Sequence, residues 1–135
     1  MEKIEHIGIA VKDLEKSNDL FSKLFGEPHY KIEEVASEGV RTSFFKSGSN
    51  KIELLEATNP DSPIAKFIEK KGEGIHHIAF AVNDIEAEMQ RLANEGFTIL
   101  NTTPKKGADN KLVTFLHPKT TNGVLVELCQ EIELK

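Results

Sequence analysis

The sequence predicts an α+β fold made of two similar β-α-β-β-β modules, their eight strands forming a curved, barrel-like mixed sheet with the helices outside. An internal repeat and a repeated order of local signals carry this reading. His6-Ile7-Gly8-Ile9-Ala10-Val11 is echoed by His77-Ile78-Ala79-Phe80-Ala81-Val82, 71 residues later. Asp13 and Asp84 follow at the same offset, each opening an amphipathic stretch that stops at a glycine, Gly26 or Gly96. Ile52-Glu53-Leu54 and Val126-Glu127-Leu128 recur at an offset of 74, as a small loop insertion in the second half would give. Three matches in one order make a duplicated module the better explanation than chance.

Each element has a local cause. Asp13 is a good N-cap, because its carboxylate can accept from an amide of the first turn. Leu14, Leu20, Phe21, Leu24 and Phe25 follow helical spacing, and Gly26 supplies a left-handed stop. Asp84, Ile85, Met89, Leu92 and Gly96 repeat that design. Three β-prone runs follow each helix, at 28–35, 39–47 and 51–57, then at 97–102, 111–117 and 123–130. Module 1 spans about 3–57 and module 2 about 75–131 of a single 135-residue domain. Between them Asn59-Pro60-Asp61-Ser62-Pro63 opens a linker helix over 63–71, within a linker of about 60–73 that closes on Gly72 and Gly74. A sheet covered by one helix per module buries one face, so the modules associate and the concave face between them is the natural cleft.

Composition excludes several classes. The chain carries 39% apolar and 29% charged residues, enough for a core and a solvated surface. A net charge of −5 argues against a broad nucleic-acid face. No apolar run approaches the roughly 20 residues of a membrane helix, and the charged start lacks a signal-peptide stretch. The sole cysteine, Cys129, makes no internal bridge, which fits a reducing, cytoplasmic setting. Nucleophile elbows, P-loops and dinucleotide glycine patterns are absent.

Alternation along the strands sorts the repeated segment. Ile7, Ile9 and Val11 share one face, as do Ile78, Phe80 and Val82, and these bulky faces meet the helices. His6 and His77 share the other face with the small residues Gly8, Ala10, Ala79 and Ala81, which leaves room before them. His76 has the opposite parity and reads as structural. Glu53 and Glu127 lie inside apolar strands, where a carboxylate must face solvent or be paired. A strand histidine is usually an ordinary surface or core residue, and a strand glutamate usually the wet side of an edge. Recurrence of both in register raises a second reading, a divalent-ion site. Imidazole with carboxylate suits Mn, Co, Ni, Fe or Zn rather than Ca. His29 reads as a surface residue, and His117 as part of the turn at Pro118. Lys105, Lys106, Lys111 and Lys119 are either scattered solvated charges or a basic rim for a phosphorylated ligand.

The paired modules with His6, Glu53, His77 and Glu127 resemble the vicinal oxygen chelate superfamily, over nearly the whole chain. Its members include glyoxalase I, methylmalonyl-CoA epimerases, extradiol dioxygenases and drug-resistance proteins. Asp61-Ser62-Pro63-Ile64-Ala65-Lys66-Phe67 with Gly74-Ile75-His76-His77-Ile78, and Phe115-Leu116-His117-Pro118-Lys119 with Gly123-Val124-Leu125-Val126-Glu127-Leu128, are similar to the epimerases. The resemblance implies the glyoxalase fold, His6, His77 and Glu127 as metal ligands, and Glu53 at a position that supplies a fourth ligand, Gln or Glu, in relatives. It implies an isomerase acting on an acyl-CoA, a divalent cofactor (Co, Mn, Ni or Zn), and a homodimer. An enolate forms when the α-proton is removed, and two bases, Glu127 and Glu53, would serve its opposite faces. One feature departs from the pattern. Some epimerases carry a glutamate base in the strand near Gly39, where this chain has Val40-Arg41-Thr42-Ser43. Rival expectations are glyoxalase I acting on the methylglyoxal–glutathione hemithioacetal, a non-enzymatic drug- or ligand-binding protein, and a non-haem Fe(II) oxygenase.

Overall fold

The computed structural model describes residues 1–133. The last two positions of the expected domain lie outside the described residues. The fold is α+β, with two β-α-β-β-β modules contributing four strands each. In module 1 these are β1 (Lys3–Ala10), α1 (Leu14–Phe25), β2 (Lys31–Val35), β3 (Val40–Ser47) and β4 (Asn50–Ala57). The linker helix α2 (Pro63–Lys71) follows. Module 2 comprises β5 (Gly74–Ala81), α3 (Ile85–Asn94), β6 (Lys105–Lys106), β7 (Lys111–Leu116) and β8 (Val126–Glu131). By contacts the chain divides into two compact units, His6–His76 and Met1–Glu5 with the chain from His77 onward. Among the described residues no helix is long and apolar enough to cross a membrane.

In the His6–His76 unit the strands run β2-β3-β4-β1, with β1 parallel to β4 and the other pairs antiparallel. Asp13 caps α1 by accepting from Lys16 N, and Gly26 ends it at φ 75°. The buried side of α1 is the stripe Leu14, Asn18, Phe21 and Phe25. Leu20 and Leu24, expected on that side, are 63% and 69% exposed. At about 100° per residue they lie off the 14–18–21–25 line, so apolar character alone misplaces them. The core beneath α1 is Val11, Leu14, Phe45 and Leu54, with Ile9, Phe21, Phe25 and Ile52 packed against it. Fully burying each such side chain contributes about 1.5–3 kcal/mol. Ser62 caps α2 through Ala65 N, Pro63 occupies its first turn, and Ile64 packs with Ala10 and Leu55.

In the other unit the strands run β5-β8-β7-β6, with β5 parallel to β8. Asp84 caps α3 through Ala87 N, and Ile85, Met89 and Leu92 pack with Val82, Leu116 and Leu128. The expected strand at 97–102 does not form. Ile99 makes a single bridge to Leu116, and Thr98 and Leu100 keep backbone bonds to His117 and Phe115. The ladder resumes only at Lys105–Lys106, after Pro104, which has no amide to donate.

Candidate metal and acid–base site

The two histidines and two glutamates occupy equivalent registers. Gly8, two residues after His6, lies directly opposite Glu53 on parallel strands β1 and β4. Ala79, two residues after His77, lies opposite Glu127 on β5 and β8. Each carboxylate therefore crosses a small residue to meet the histidine of its own module. His6 Nδ1 is 3.1 Å from Glu53 Oε2, and His77 Nε2 is 3.4 Å from Glu127 Oε1. All four are at least 94% buried. The solvent-facing reading of the strand glutamates thus gives way to pairing, as the cost of an isolated buried carboxylate requires.

An aromatic residue completes each pair, and sequence reasoning missed both. Phe44 is the antiparallel partner of Glu53, and Phe115 of Glu127. The His77 ring meets Phe115 edge-on, with centroids 6.0 Å apart at 86°. Each glutamate thus lies between a small residue and a phenylalanine, one on either neighbouring strand. Phe44 and Phe115 stand 71 residues apart, the offset of the histidine repeat, and that spacing was the available signal.

The remaining candidates fall away from these pairs. His76 faces α2, where its ring meets Phe67 at 4.9 Å and 82°. Burial pushes its pKa down to about 4. His29 is half-buried against Phe45 rather than on the surface, with ring centroids 6.0 Å apart. His117 Nδ1 accepts from Lys119 N at 3.0 Å, a turn-forming role. Lys111 leaves the expected basic rim. It is buried, 3.5 Å from Glu131 and 3.9 Å from Asp109. The Cys129 thiol donates to Phe80 O inside the core. Asp13, Glu15 and Glu56 also bring carboxylates together, and the Arg41 guanidinium reaches Glu15 and Glu56 at 2.8 and 2.9 Å. Its hydrogen bonds to these glutamates, Glu15 foremost, raise the Arg41 pKa further.

The donor set fits a divalent ion. Each pair offers an imidazole nitrogen and a carboxylate oxygen, held from opposite strands and away from water. Borderline metals such as Mn, Co, Ni and Zn prefer this mixture of ligands.

The comparisons agree with this geometry. Residues 5–115 match the model of the Glyoxalase/Bleomycin resistance protein/Dioxygenase superfamily. Ethylmalonyl-CoA/methylmalonyl-CoA epimerase of Cereibacter sphaeroides is 42% identical over 130 residues, covering 95% of this chain and 97% of that one. The mitochondrial methylmalonyl-CoA epimerase of Dictyostelium discoideum is 42% identical over 127 residues, covering 93% of this chain and 76% of its own. Among solved structures, a variant of Streptomyces coelicolor methylmalonyl-CoA epimerase in complex with 2-nitronate-propionyl-CoA superposes with a TM-score of 0.92 at 34% identity. That match covers 98% of this chain and 99% of the other. With the matched span taking in His6, Glu53 and His77, the chain belongs to the glyoxalase/bleomycin resistance protein/dioxygenase superfamily.

Proposed function

We propose that this chain interconverts the R and S forms of methylmalonyl-CoA by moving the α-proton. The carrying observation is the pair of equivalent, buried His–Glu couples, His6–Glu53 and His77–Glu127. Relatives named methylmalonyl-CoA epimerase at 42% identity support the substrate. We assign His6, Glu53, His77 and Glu127 as the ligand set of one divalent ion, Co, Mn, Ni or Zn, with the two modules acting as a single domain. The same reading has the protein work as a cytoplasmic homodimer.

The α-proton lies between a thioester and a carboxylate, so its removal leaves negative charge on oxygen. The cation, when bound, supplies positive charge that stabilises those oxygens as a Lewis acid. Glu127 takes the proton on one face of the α-carbon, and Glu53 is the partner that returns one to the other face. Phe44 and Phe115 exclude water beside the two carboxylates. A proton then passes between base and substrate without exchange into bulk solvent at each step.

Proton NMR of methylmalonyl-CoA in D2O tests this reading, using protein stripped of metal and reloaded with Co or Mn. Metal-dependent loss of the α-proton signal is the expected result. Absence of exchange with every divalent ion overturns it, and isomerisation of the methylglyoxal–glutathione hemithioacetal by the same samples would identify a glyoxalase instead.

A further inference from the structure

The face of the β2-β3-β4-β1 sheet that carries His6 and Glu53 continues into a lysine and aromatic patch. Cross-strand partners share a face, so Lys51, the register partner of His6, lies on this side with Glu53. Lys46 is the direct antiparallel partner of Lys51. Lys31 is the partner of Phe44, and its ammonium sits 4.5 Å from the Phe44 ring centre. The Lys46 ammonium sits 5.2 Å from the centre of the Tyr30 ring, which in turn lies 6.1 Å from Phe44. Ring contacts and register thus place the three lysines on one side independently. The nearest acid is Glu33, whose Oε1 is 3.5 Å from Lys31 Nζ.

This placement has a cost. Like charges directly opposite on neighbouring strands repel, and Lys46 and Lys51 do so in a chain of net charge −5. An anion held over them turns that repulsion into attraction. The patch starts two residues along β4 from Glu53, about 7 Å. From there it runs outward to the β3–β4 turn, where Lys46 is exposed and Tyr30 is 44% exposed. The buried end of this face is suited to the acyl group and the exposed end to a larger, charged remainder.

We propose that Lys31, Lys46 and Lys51 form the subsite for the phosphate groups of the CoA moiety, with Tyr30 offering a ring against which the nucleotide packs. This assignment rests on the acyl-CoA reading above. Lysine binds phosphate as a point charge, and charge-assisted bonds of this kind outweigh neutral ones. The free carboxylate of the acyl group is the other anion available, and it belongs at the buried end beside Glu53.

Binding and kinetics together test the subsite, using Lys46→Glu and Lys31→Ala in the full chain. Calorimetry with CoA alone should show Kd rising about tenfold in Lys46→Glu, with weaker salt dependence than in the parent. KM for methylmalonyl-CoA should rise in parallel, while methylmalonyl-pantetheine, which lacks the nucleotide, shows no such change. Kd and KM within twofold of the parent in both variants would overturn the proposal. Equal weakening of both substrates would also overturn it, by moving the lysines to the acyl carboxylate. A parent protein that exchanges no α-proton but binds CoA through these lysines would sink the epimerase reading and leave the subsite standing.

Discussion

The Glu56 carboxylate accepts the backbone amide of Leu14 at 2.8 Å, so a side chain from β4 closes the first turn of α1. The second module repeats the device with a neutral group, Gln130 Oε1 accepting from Ile85 N at 2.7 Å. Glu56 and Gln130 are 74 residues apart, the same offset as Glu53 and Glu127. In both modules the last strand therefore carries a histidine partner on one face and a helix tie three residues later.

That tie sets an expectation for stability. Glu56→Ala removes the acceptor for Leu14 N and one partner of Arg41. Losing one such bond at a helix start costs about 1–2 kcal/mol. Glu56→Gln keeps the acceptor, as Gln130 does, and forfeits only the ion pair with Arg41. That pair is partly exposed, so its loss should cost under about 1 kcal/mol. Urea denaturation of the two variants should show a clear midpoint drop for Ala and a small one for Gln.

Gly39 offers a controlled test of backbone and space together. Its φ is 62°, and an added Cβ would lie 2.8 Å from both Asn59 Nδ2 and Ser62 Cβ, the latter in the cap of α2. Gly48 has nearly the same φ, 63°, with nothing within 4 Å. Alanine at either position meets the left-handed penalty of about 1–2 kcal/mol. Gly39→Ala should therefore be less stable than Gly48→Ala by thermal melting, and equal losses would show that the α2 cap yields freely.

Much of this architecture is legible in the chain because its causes are local. Asp13, Gly26, Ser62 and Pro63 fix helix ends by short-range bonds and backbone preference, and α1 and α2 begin and stop where those residues direct. His6, Glu53, His77 and Glu127 are legible because the chain writes the pairing twice. Phe44 and Phe115 are not, since a phenylalanine in a strand signals core anywhere, and only non-local register sets it against a carboxylate. The 97–102 run fails for a related reason. Its residues suit a strand, but strand formation needs a partner over several residues, and Ile99 alone finds one.

His76 gives the chain a defined acid sensitivity. Burial against Phe67 lowers its pKa from 6.5 to about 4, so the native state binds fewer protons than the unfolded state between those values. This contribution to stability is complete above about pH 6.5 and is lost as pH falls toward 4, on the order of 2 kcal/mol. His76→Phe has no proton to bind. The stability difference between parent and variant should shift in favour of the variant as pH falls from 7 to 4. A difference that stays constant over that range would show that His76 titrates normally.

Glu127→Gln separates the two roles proposed for that carboxylate. The amide keeps a carbonyl oxygen able to reach the cation and the His77 ring, so the His77 pairing is weakened without leaving a buried charge unmatched. It cannot accept the α-proton, and loss of a positioned base typically costs 10²–10⁴-fold. Exchange in D2O should therefore fall by about that factor, while metal content, read by elemental analysis of the purified protein, falls only partly. His77→Ala, by contrast, removes a ligand from the same pair, and metal content should fall with activity. Glu53→Gln is expected to match Glu127→Gln in its retained metal. If Glu53 serves the opposite face, it should retain proton wash-out from one epimer while slowing conversion to the other. Full activity in Glu127→Gln would remove that residue from the proton path and leave it as a ligand alone.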